Sequence, residues 1–140
     1  MSNIVTTIEQ SKHLLELGLD PASADMEYCY IDEFNSGLQV KGDINAEVDR
    51  RLDMMFGVTH IPAWSLSALL EVMPSFIDYK GQKLRLTIEK AGVWNVFYIG
   101  TQHRLNEIWF NGEYGDSVEP AYKMVCWLLE QGFIKKGGKL

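Results

Sequence analysis

The sequence predicts an α+β fold: an antiparallel sheet, made of a hairpin and a three-stranded meander, packed by N-terminal, central and C-terminal helices. Three observations carry that expectation. Two distant segments, Thr6–Leu19 and Asp116–Phe133, each open with a short oxygen-bearing side chain three positions before a Glu and close on Gly followed by a large apolar residue. Those are the start and stop signals of a helix, a capping box and a Schellman cap. Between them lie β-branched and aromatic runs joined by short Gly- and Asn-containing turns, with no regular strand-helix-strand alternation of the kind that builds a doubly wound parallel sheet.

In the first helix Thr6 precedes Glu9, and Gly18-Leu19 ends it. Asp20-Pro21 turns the chain into Met26–Ile31, a strand by its aromatic and β-branched content. Asn35-Ser36-Gly37 supplies turn chemistry before a short partner strand, Leu38–Lys41, so the two form a hairpin. From Gly42 to Gly57 the apolar residues Val48, Leu52 and Met55 recur at helical spacing. Pro62 forces His60 and Ile61 into an extended or turn conformation, after which Ser65 caps a helix over Leu66–Met73 that Pro74 stops.

Lys83–Lys90 alternates cleanly, with Leu84, Leu86 and Ile88 on one face and Lys83, Arg85, Thr87 and Glu89 on the other. It should bury the first set and expose the second. After Ala91-Gly92, Trp94–Ile99 is apolar on both faces and therefore central, covered on both sides. Leu105–Phe110 completes the meander. The last helix aligns Ala121, Met124, Val125, Leu128 and Leu129 on one stripe, leaving Lys123 and Glu130 outside and Trp127 just off it. Residues 1–134 read as one α+β domain and 135–140 as a flexible tail.

With 46% hydrophobic and 23% charged residues the chain is ordinary for a globular domain, while a net charge of -6 disfavours general affinity for nucleic acid. The charge is uneven. Residues 1–70 carry 11 acidic and 4 basic side chains, whereas Lys80, Lys83, Arg85, Lys90 and Arg104 face only Glu89 between positions 80 and 104. A nucleic-acid-binding face there ranks third among the functional readings. The amino terminus lacks a basic region followed by an apolar core, and no apolar run reaches the roughly 20 residues that span a bilayer, which points to a cytoplasmic protein without membrane contact.

Catalytic and metal motifs are absent. His13, His60 and His103 form no i, i+4 pair and no His-x-Glu pattern, Cys29 and Cys126 are distant single cysteines expected as buried free thiols, and Gly-x-Ser-x-Gly and glycine-rich phosphate loops are missing. Asp49 and Asp53 stand one helical turn apart, but among Glu47, Arg50 and Arg51 they read as a solvated helix face. No catalytic residue, metal or cofactor is assigned. What departs from ordinary composition is the placement of aromatic residues at turns and element ends: Trp64, Trp109 and Tyr114. Trp and Tyr dominate the energetic centres of protein interfaces. The binding residues expected are therefore Trp64, Trp109 and Tyr114, with Lys83 and Arg85 on the basic face.

Three blocks together, Thr6–Ser11 with Leu15–Leu19 and Ala24-Asp25-Met26, then Ile61–Leu66 with Leu69-Leu70, then Ala121 with Met124–Leu129 before Gly132, resemble an uncharacterised family of small bacterial proteins often encoded on prophage-like or other mobile elements. The resemblance covers the helical blocks, about half the chain. It implies a bacterial cytoplasmic setting and carries no activity or site residue. The leading expectation is a non-enzymatic module that binds a protein partner or itself. The alternative is a small enzyme or ligand-binding protein whose site is assembled from distant residues.

Overall fold

A computed structural model describes residues 4–31, 35–40, 58–100, 107–111 and 116–136, with backbone alone at positions 30, 31, 35–40, 58, 59, 107–109 and 111. Helix α1 (Ile8–Glu16) leads through a short 3-10 helix (Pro21–Ser23) to β1 (Met26–Ile31), β2 (Asn35–Val40) and β3 (Val58–Ala63). Then follow α2 (Leu66–Val72), β4 (Phe76–Tyr79), β5 (Gln82–Ala91), β6 (Val93–Gly100), β7 (Glu107–Asn111) and α3 (Val118–Gln131). The strands form two antiparallel sheets, ordered β2-β1-β3 and β4-β5-β6-β7. The expected hairpin and meander are both there, and each gains one further strand.

Both glycine stops are as the sequence predicts. Gly18 has φ +100° and Gly132 φ +81°, and in each case the next residue donates back five positions, Leu19 to Leu14 and Phe133 to Leu128. That bond defines the Schellman motif and satisfies a carbonyl the helix leaves open. Ser65 caps α2 by accepting from the Ala68 amide, and Asp116 accepts from Val118 and Glu119 at the start of α3.

The first capping box is displaced by one residue: Thr7, not Thr6, accepts from the Gln10 amide while Gln10 reaches back to Thr7. Thr6 is otherwise engaged. Its buried hydroxyl accepts from the Trp64 amide and pairs with Ser11.

Asn35, Ser36 and Gly37 lie inside β2, paired with Ile31, Tyr30 and Cys29 of β1, so those three are strand rather than turn. His60 and Ile61 belong to a regular strand. The helix expected within residues 42–57 lies outside the described residues.

A two-residue turn with left-handed backbone at Lys80 (φ 50°) and Gly81 (φ 78°) joins β4 to β5. Strand β5 buries Leu84, half-buries Leu86 and Ile88, and exposes Lys83 and Arg85. Strand β6, between β5 and β7, is buried on both faces from Asn95 to Ile99. One core gathers Leu14 of α1, Trp64, Ala68 and Leu69 at and within α2, Leu84, Val96 and Tyr98 of the four-stranded sheet, and Ala121, Met124, Val125, Leu128 and Leu129 of α3. Among the described residues no helix is long and apolar enough to cross a membrane.

Candidate functional site

Among the described residues, those expected to bind do not share one surface. Trp64 is fully buried. Its indole nitrogen donates to the Ser23 hydroxyl at 2.9 Å, and its backbone exchanges hydrogen bonds with Thr6. It locks the N-terminal segment to the start of α2 and is unavailable to a partner. The Trp109 side chain and Tyr114 lie outside the described residues. Lys83 and Arg85 are exposed, but Asp78 pairs directly across from Lys83, and Lys83, Lys80 and Lys90 lay their amines over Phe76, Tyr79 and Trp94. The face of Lys83 and Arg85 mixes signs, Lys90 lies on the other side of the strand, and a phosphate backbone meets no uninterrupted basic stripe.

The outer side of α3 offers more. An open groove of about 340 Å³ is lined by His13, Phe110, Tyr122, Cys126 and Trp127 together with the exposed charges Lys123 and Glu130. Trp127 continues into an aromatic seam, stacking on Phe133 at 5.7 Å and meeting Tyr79 edge-on at 5.5 Å. The groove holds no activated nucleophile. Burial pushes the Cys126 thiol up to about 11, above its ordinary value of 9.0, and burial likewise raises the neighbouring Tyr122 phenol, with Cys126 adding to the effect. At neutral pH both stay protonated, and the thiolate is the reactive form. This supports binding over covalent chemistry.

A second constellation arises from strand pairing. Glu27 and Cys29 stand two apart on β1 and so share a sheet face, and His60 of β3 pairs directly opposite Cys29. The Cys29 Sγ to His60 Nδ1 distance is 3.1 Å, Glu27 Oε1 to the same Nδ1 is 3.5 Å, and Cys29 Sγ to Glu27 Oε1 is 3.9 Å. Cys29 is half-buried rather than buried as expected. Neither the cysteine spacing nor the histidine spacing in the sequence signals this cluster, because the signal is the register between two strands separated by 26 residues (Ile31 to Val58).

Comparison of the chain with protein-family models, with curated proteins and with solved structures found no match.

Proposed function

We propose that the chain is a non-enzymatic protein-interaction module of bacterial mobile-element origin, working in the cytoplasm, and that its contact surface is the groove along α3. The mobile-element setting rests on the sequence blocks in α1, α2 and α3. The groove carries the rest of the reading: aromatic walls supply contact area with little rotamer entropy to lose, and the exposed opposite charges in its lining, Lys123 and Glu130, suit a partner that inserts one apolar side chain between polar neighbours. The partner is another protein or a second copy of the chain.

Light scattering across a concentration series, together with affinity capture from a bacterial lysate, tests this with the wild type and the exposed-charge variants Lys123→Glu and Glu130→Arg. Self-association or a captured protein that these variants lose supports the groove. A monomer at all concentrations that captures nothing, or capture indifferent to both variants, removes it.

The alternative of a ligand-binding protein or small enzyme with a site assembled from distant residues is favoured by one observation, the convergence of Glu27, Cys29 and His60.

A further inference from the structure

We propose that Glu27, Cys29 and His60 bind a zinc ion. This does not depend on the α3 groove. The pleat of β1 puts the carboxylate and the thiol on one face, and the antiparallel register of β1 with β3 puts the imidazole directly opposite the thiol. The three donor atoms form a triangle with edges of 3.1, 3.5 and 3.9 Å. A tetrahedral zinc at about 2.3 Å from sulfur and about 2.0–2.2 Å from nitrogen and oxygen spaces its donors by roughly 3.4–3.6 Å. The observed edges straddle that range and differ from it by a few tenths of an ångström, within the reach of small side-chain rotations.

The chemistry of the donors selects the ion. Thiolate with imidazole and carboxylate suits zinc, whereas calcium and magnesium take oxygen donors. A nucleophilic Cys-His-Glu relay fits less well. In a relay the nucleophile and the acid bond opposite ring nitrogens, but here Sγ and Oε1 both converge on Nδ1. That is an arrangement for a shared cation. The His60 and Glu27 side chains are 28% and 17% exposed, so the site is open to an entering ion yet partly shielded from bulk water. Among the described residues these three supply the protein donors, and the fourth corner of the tetrahedron falls to water or to a group outside them.

Binding replaces the thiol proton. Zinc takes the sulfur lone pair of Cys29, the thiol proton passes to solvent, and affinity falls on acidification because protons compete for the same donors.

The test uses the full chain, stripped with a chelator, reduced, and titrated with cobalt(II), whose spectrum reports thiolate ligation and coordination number. The expected result is a one-to-one titration with a thiolate-to-cobalt charge-transfer band, the strong visible bands of a four-coordinate ion, and displacement of both by zinc. Cys29→Ser should abolish the charge-transfer band, and His60→Ala should weaken cobalt binding beyond the roughly 10–100-fold that outer-shell changes cost. Cys126→Ser should leave the spectrum intact. Circular dichroism confirms that each variant is folded, and should Cys29→Ser fail to fold, the wild type and Cys126→Ser still decide the question. Absence of the band in folded wild type, or its loss in Cys126→Ser, overturns the site.

Discussion

Replacing Trp64 separates a packing role from a contact role, because the two give opposite results. The indole is fully buried, and its nitrogen donates to Ser23. Truncation to alanine at such a site costs about 3–5 kcal/mol, a large share of the roughly 5–15 kcal/mol that holds a domain together, so the milder Trp64→Phe is the informative change. It removes about three ring atoms, worth roughly 2 kcal/mol at about 0.8 kcal/mol per buried methylene equivalent. It also removes one hydrogen bond worth about 1 kcal/mol. The expected loss is thus about 3 kcal/mol, read as a lowered urea midpoint with unchanged slope by circular dichroism. Ser23→Ala leaves the indole N–H buried without its acceptor, at about 1–3 kcal/mol. In the double variant that penalty disappears, so the cycle should show a coupling of about 1 kcal/mol. A Trp64→Phe cost below about 0.5 kcal/mol with no coupling would refute the placement and reopen the contact role that the sequence suggests for Trp64.

Two further perturbations have defined outcomes. At Gly132 an added Cβ meets no atom within 4 Å, whereas at Gly18 it meets the Lys136 stem at 3.0 Å, so Gly132→Ala should cost the left-handed strain alone, about 1–2 kcal/mol. Gly18→Ala should cost at least as much, and urea denaturation equal to wild type for either would contradict the caps. For Cys126 the folded thiol titrates at about 11 against 9.0 for the free group. The unfolded chain therefore loses its proton first, stability is full below about pH 9, and it falls as pH rises toward 11. Cys126→Ala should flatten that part of the stability profile, and in native protein at pH 8 Ellman's reagent should leave Cys126 unmodified until denaturant is added.

What was legible in the sequence is what local chemistry decides. Gly18 and Gly132 announce helix ends because the left-handed residue and its apolar successor are adjacent in the chain. Ser65 announces α2 because the cap and the amide it serves lie three residues apart. The alternation of β5 names its buried face, and the two apolar faces of β6 name a central strand.

The misses come from competition at a distance. Pro62 leaves both extended and turn backbone open, and β3 takes the extended form as an edge strand of the order β2-β1-β3, where a residue with no amide to donate is tolerated. Asn35-Ser36-Gly37 has turn chemistry, but six cross-strand pairs with β1 override it. Thr6 and Thr7 are equally good caps in isolation. Thr6 is removed from contention by Trp64, which lies 58 positions away.

That same junction governs whether the proposed zinc site exists. Val5 bridges to Ser65, Thr6 bonds Trp64 through backbone and side chain, and the Asp25 carboxylate accepts from the Ser65 amide and hydroxyl. All of these contacts fall at the end of the β1-β3 pair where Met26 meets Ala63. They fix the register from one end, and the register is what sets Cys29 opposite His60. A slip of one residue turns a strand's side chains to the other face, sending His60 away from Glu27 and Cys29. The geometry of three donors on an outer sheet face therefore depends on a tryptophan buried beyond the strand end. An ion held between the two strands acts back on the same equilibrium, since a ligand that binds only the folded register stabilises it by mass action.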